Sequence, residues 1–202
     1  MKKRTLFIVI LLVLCLSTAF SSSTYYERGD QVFSIRAGVD FPAFLYFFNA
    51  SSQLDTTFAD VHLQRVGGVA SISYQGFVSK YLALGGELGY QFINSLTPSL
   101  CTTVPITAKL TYIPVQTGLF DLAISANLGV AFLKYDNGKY LAPYASLTIC
   151  PSFYITDNWG LGIESGIMAV AELYTKTSSY DKFNDNAALG LIPLTLCISY
   201  RH

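Results

Sequence analysis

The chain holds two histidines, His62 and His202, and a Ser–His–acid hydrolase would have to be built on one of them. His62 has Asp60 just before it and Ser71 a short way after; nothing else arranges the three as a relay. No nucleophile elbow or phosphate-binding loop is present, so no enzyme is expected. Of four cysteines, Cys15 sits in the N-terminal apolar run, leaving Cys101, Cys150 and Cys197 downstream. An odd number is no disulfide framework, and neither a CxxC pair nor a His/Cys set with zinc spacing occurs. The three read as small space-filling residues, with a Cys150–Cys197 bridge the one pairing left open. No metal and no cofactor are expected. What remains are scattered charges, above all Arg36, Glu87, Lys109 and Glu164, and the elements that carry them decide what they can do.

Charged residues make up 13% of the chain, apolar residues 51% and aromatics 14%. Disordered chains are charged and poor in aromatics, so disorder is excluded. Lys+Arg 13 balances Asp+Glu 13, which gives no basic excess for a nucleic-acid partner. Lys2, Lys3 and Arg4 precede an unbroken apolar run over residues 6–16, followed by the small-x-small triplets Ser17-Thr18-Ala19 and Ala19-Phe20-Ser21. This is the pattern of an export signal over residues 1–21, leaving one domain over residues 22–202. The run is short for a membrane-spanning helix, which needs about 20 residues. Leu14 stands before Cys15 where a lipidation site wants a small residue. Losing the three cations leaves the mature chain at −3.

From residue 33 onward apolar and small or polar residues alternate, the period of a β-strand. Eight such segments run over residues 33–41, 68–76, 82–92, 104–112, 120–132, 141–153, 159–173 and 188–200. Most exceed the five or six residues usual for a globular strand and match the 9–11 of a tilted membrane strand. On one face no residue is charged and only Ser165 is polar. The other face carries Arg36, Asp40, Glu87, Lys109, Asp121, Glu164 and Glu172 among Gly, Ser, Thr, Ala and Gln. Aromatics on the apolar face gather at segment ends, as at Phe33, Tyr74, Tyr112, Phe153, Trp159 and Tyr200, where a bilayer's interfaces would hold them. A soluble lipocalin-like barrel, with the apolar face inward, gives no reason for that sorting by height. Connections 42–67, 93–103 and 174–187 are long, 77–81, 113–119 and 154–158 short, and 133–140 intermediate.

These features resemble the small outer-membrane β-barrels of diderm bacteria, among them the OmpA transmembrane domain, OmpX and OmpW. The resemblance covers about residues 30–200. It implies an all-β, eight-stranded, antiparallel up-and-down transmembrane barrel in the outer membrane, inserted by the outer-membrane assembly machinery and surrounded by outer-membrane lipid. Such barrels usually end on an aromatic residue, whereas here Arg201 and His202 follow Tyr200. The lipid A deacylase barrels carry an adjacent His-Ser pair that is absent here. Within this frame Arg36, Glu87, Lys109 and Glu164 fall at similar heights in the lumen and are expected to form a neutral ion-pair network that seals or gates it. Phe44, Tyr46, Phe47 and Phe48 are expected in the first long outer loop, as an entry or binding patch, or else as a continuation of the first strand. Two functions follow: a narrow channel or binding site for a small hydrophobic solute, as in OmpW-like barrels, or an adhesion protein that meets a host or matrix ligand through loops one and four.

Overall fold

The computed structural model describes residues 26–47, 66–94, 100–135, 138–172 and 187–202. The expected signal (1–21), Asp60, His62, Phe48 and most of the fourth outer loop lie outside these residues. Eight strands follow in chain order: β1 (Gln31–Phe47), β2 (Gly67–Ser79), β3 (Leu82–Asn94), β4 (Leu100–Gln116), β5 (Phe120–Tyr135), β6 (Gly138–Tyr154), β7 (Trp159–Glu172) and β8 (Ala187–Arg201). Each pairs antiparallel with the next, and β1 pairs with β8 from Val32↔Arg201 to Phe47↔Ala187, which closes the barrel. Closure leaves no unpaired strand edge, the condition for a sheet in lipid.

The alternation sets the faces. Ile35, Ile72, Leu88, Ile106, Leu128, Leu147, Ile163 and Leu196 are exposed on the outside, while Ser34, Ser73, Thr107, Asn127, Thr148 and Thr195 are buried within. This is a transmembrane barrel, with the apolar face toward lipid. Aromatics ring its lower end: Trp159 packs tilted against Tyr200 at 4.9 Å between ring centres, Phe120 likewise against Phe153 at 5.0 Å, and Phe33 stands between Tyr74 and Tyr200 in the ladder.

The strands are longer than the alternating pattern suggests. The 133–140 connection expected between strands five and six is largely strand, because Leu133↔Tyr140, Lys134↔Lys139 and Tyr135↔Gly138 continue the ladder. Likewise β1 runs on past residue 41, with Phe44 opposite Gly190, Tyr46 opposite Ala188 and Phe47 opposite Ala187. So Phe44, Tyr46 and Phe47 are strand residues, and the loop assignment is corrected to a strand extension: pairing with β8 satisfies their backbone groups. The register slips between Pro42 and Phe44 and between Tyr112 and Val115, at Pro42 and beside Pro114, which have no N–H for the ladder.

Each odd strand has an inward glycine pressed against the backbone of the strand before it around the barrel. A Cβ on Gly38, Gly85, Gly129 or Gly166 would stand 1.9–2.2 Å from the carbonyl oxygen of Leu194, Tyr74, Ile106 or Leu147. These are bends where only a missing side chain permits the tight curl of a narrow barrel. The lower turns are made by short polar chemistry. Thr117 Oγ1 accepts from Phe120 N at 2.8 Å, and Thr156 Oγ1 accepts from Trp159 N at 3.0 Å.

Candidate functional site in the barrel lumen

Side chains from all eight strands point into the lumen and fill it in three layers. The middle layer is ionic. Arg36 on β1, Glu87 on β3, Lys109 on β4 and Glu164 on β7 meet across the interior, because strand tilt brings their different ladder rows to one height. Glu87 Oε2 takes Arg36 NH1 at 2.6 Å and Lys109 Nζ at 2.8 Å, and Glu164 Oε2 faces Arg36 Nε at 3.3 Å. Arg36 NH2 donates to Ser73 Oγ at 2.9 Å, and Asn127 Nδ2 reaches Ser146 Oγ at 2.9 Å and Glu87 Oε2 at 3.5 Å. Each of the four ionic side chains is at most 8% exposed. Two cations and two anions leave the layer neutral, which offsets the cost of burying them.

Above it, toward the end that carries the long connections, the lumen is apolar. Val69, Ile93, Ala131, Leu133, Met168, Val170, Leu189 and Leu191 pack together inside the barrel. The expectation of a small and polar inner face is therefore corrected for the outer third. Ile93, Cys101 and Leu133 lie beyond the alternating segments, whereas Val69, Met168, Val170, Leu189 and Leu191 are apolar residues on the inner face within them. Gln91 spans this level, donating to Met168 Sδ at 2.8 Å and Tyr144 Oη at 3.3 Å. Asp40 is buried at the lower edge of this layer. It is 0% exposed, and neither carboxylate oxygen has a hydrogen-bond partner among the described residues.

The bottom layer is a stopper made by Tyr26, in the segment that leads into the first strand. Gly29 adopts φ 104°, a left-handed turn that glycine alone adopts without strain, and it folds residues 26–30 back under the barrel. Gly29 N donates to Phe77 O at 2.9 Å. Tyr26, 1% exposed, stacks on Phe77 at 4.1 Å. Its hydroxyl donates to Asp121 Oδ2 at 2.7 Å and lies 2.6 Å from the Tyr154 hydroxyl, and its backbone N donates to Gln116 Oε1 at 3.1 Å. Burial, then the Asp121 carboxylate, hold the Tyr26 phenol well above its usual pKa. Arg201, at the end of β8, turns inward with its guanidinium 3.6 Å above the Tyr154 ring and its backbone N donating to Asn158 O at 2.9 Å. Between stopper and ion layer lies a cavity of about 50 Å³, room for a few waters.

The four charges singled out from the sequence are thus brought together. Phe44 stands exposed on the outer surface of β1 with its ring over Gly190, away from the ion layer. The sequence reading missed Tyr26, Gln116 and the inward Arg201. An aromatic just before the first strand and a cation just after the last were the available signals. Among the described residues, no group of three or more His, Cys, Asp and Glu is placed to hold a metal.

A protein-family model matches residues 17–200. An uncharacterized protein of Treponema pallidum (strain Nichols) is 26% identical over 134 residues, 66% of this chain and 58% of that protein; the chain spans little more than half the length of the curated relative it matches. Among solved structures, Neisserial surface protein A (NspA) matches 85% of this chain and 96% of its own at 13% identity and a TM-score of 0.55, a likeness of fold. Ail, the attachment invasion locus protein of Yersinia pestis, covers 87% of this chain and 99% of its own at 11% identity and a TM-score of 0.49.

Proposed function

Because the chain belongs to the family whose model spans residues 17–200 and has the fold of the small outer-membrane β-barrels, we propose that it is an outer-membrane protein that acts at the cell surface. The barrel is a sealed anchor, and the working parts are the outer connections, residues 48–65 and 173–186. The observation that carries this reading is the filled lumen: an apolar layer, an ion-paired layer and the Tyr26 stopper succeed one another along the axis. An eight-stranded lumen is only just wide enough for its own side chains, and here they occupy it. The strand ends deliver both connections to the rim opposite the short turns. The partner is a matrix or host-cell component. That the Neisserial protein of the same fold is named a surface protein is in keeping with this.

The rival is passage of a small apolar solute, favoured by the apolar layer in the outer third and by Phe44 at the rim. Two measurements on one preparation separate them. Expected for the surface role are no conductance or hydrophobic-solute flux in liposomes, and binding of cells to matrix that disappears when 48–65 and 173–186 are replaced by short turns. Solute flux that is lost on deleting residues 43–50 overturns it in favour of the channel.

A further inference from the structure

The lipid-facing side of the β5–β6 hairpin is apolar until its outer end. Its outward residues pair across the ladder as Phe120↔Phe153 at the bottom, then among others Leu128↔Ala145 and Phe132↔Leu141. Leu128, Phe132, Leu141 and Phe153 are exposed. The next outward pair above Phe132 and Leu141 is Lys134↔Lys139. Both lysines are exposed. Among the described residues they are the only charged side chains on the outward face of the eight strands; every other strand charge falls on the inward period.

Their height is set by the strand. The rise from Phe120 to Lys134, at about 3.4 Å per residue and a strand tilt of about 45°, comes to about 34 Å along the barrel axis. The hydrocarbon core of a bilayer is about 30 Å thick. With Phe120 and Trp159 in the lower interface, the two ammonium groups reach the headgroups of the opposite leaflet, at the end that carries the long connections. Phe132 and Leu141, just below them, still face acyl chains.

At that height the pair is electrostatically incomplete. Directly opposed side chains have Cβ atoms about 4.5–5.5 Å apart, and like charges placed so destabilise the ladder. No carboxylate stands on this outward face among the described residues. Asp136, in the turn outside the described residues, sets one negative charge against two positive ones. A phosphate between the ammonium groups turns the repulsion into two charge-assisted hydrogen bonds. Thr102 of β4, the other ladder neighbour of Lys134, flanks the same spot. The position directly over an apolar, lipid-facing column selects a phosphate that carries acyl chains over a dissolved one.

We propose that Lys134 and Lys139 clamp the phosphate of an anionic lipid in the outer-end leaflet, with an acyl chain laid against Phe132 and Leu141. The barrel is thereby bound to a particular lipid on one side, the β5–β6 hairpin, and solvated by any lipid elsewhere.

The test places a reporter beside the lysines. The chain has one tryptophan, so Leu141→Trp in a Trp159→Phe background puts a single indole one outward position below the pair. The barrel is reconstituted in vesicles of phosphatidylcholine and phosphatidylglycerol, with bromine on the chains of one lipid at a time. Quenching by each gives the affinity of phosphatidylglycerol relative to phosphatidylcholine at that spot. A lysine near an anionic headgroup contributes about fivefold, so the pair should give a preference of about 25-fold. It should vanish in the Lys134→Gln, Lys139→Gln double variant and persist when both are Arg. The parent Trp159, at the lower end, should show no preference. Heat-dependent gel mobility confirms that each variant is folded. Equal quenching by the two lipids with both lysines present, a preference that survives the double Gln variant, or an equal preference at Trp159 would each overturn the proposal. So would its loss when inorganic phosphate replaces chloride at equal ionic strength, which would make dissolved phosphate the ligand.

Discussion

Glu87 is the anion on which the middle layer turns, and replacing it by Gln tests the layer most directly. One oxygen, Oε2, receives both Arg36 NH1 at 2.6 Å and Lys109 Nζ at 2.8 Å. The amide keeps the shape and removes the charge. Arg36 retains Glu164 at 3.3 Å, but Lys109, with a side chain 1% exposed, keeps no carboxylate of the described residues within ion-pair distance. An uncompensated buried charge left by removing its partner costs about 3–5 kcal/mol, and that is the expected loss for Glu87→Gln. Adding Lys109→Met restores neutrality, because Arg36 and Glu164 remain as one pair. Apolar replacement of a buried ion pair is often neutral, so the double variant should regain most of the loss and lie within about 1–2 kcal/mol of the parent. The chain has one tryptophan, Trp159, exposed on the outer surface among the lower aromatics. Its fluorescence in lipid vesicles reports unfolding in urea, and the midpoint with the slope gives the free energy. A Glu87→Gln barrel within about 0.5 kcal/mol of the parent would refute the reasoning. So would a double variant less stable than Glu87→Gln alone.

Asp40→Asn should stabilise the barrel by about 1 kcal/mol or more in the same urea assay, because it removes a buried carboxyl group whose oxygens have no partner among the described residues and whose ionised form is costly there. Tyr26→Phe removes the bonds to Asp121 and Tyr154 and should cost about 1–3 kcal/mol at neutral pH. The Tyr26 phenol is held above its usual pKa in the fold, so its contribution is complete below pH of about 10. As pH rises further the unfolded phenol ionises first, and the parent should lose stability relative to Tyr26→Phe by about 1.4 kcal/mol per pH unit; parallel pH curves would remove Tyr26 from the account. Gly166→Ala places a methyl 2.1 Å from Leu147 O and should prevent the heat-dependent gel shift of the folded barrel, whereas Gly76→Ala, with nothing within 4 Å, should leave it intact.

Period two by itself fixed the strands and their faces, and the end-sorted aromatics fixed which face meets lipid. Both are local properties, since each residue's side is decided by its neighbours in sequence. Strand ends were not legible where alternation weakens, at 42–47 and 133–140, because pairing with β8 and β6 rather than pattern carries the ladder there. The meeting of Arg36, Glu87, Lys109 and Glu164 was readable as common height along the strands. That Glu87 rather than Glu164 holds both cations was decided only by tilt and closure, which bring β1, β3 and β4 around one point. The Tyr26 stopper and the apolar outer lumen join residues far apart in the chain. No sequence window contains them, because they arise when the sheet closes on itself and its inner face becomes an interior.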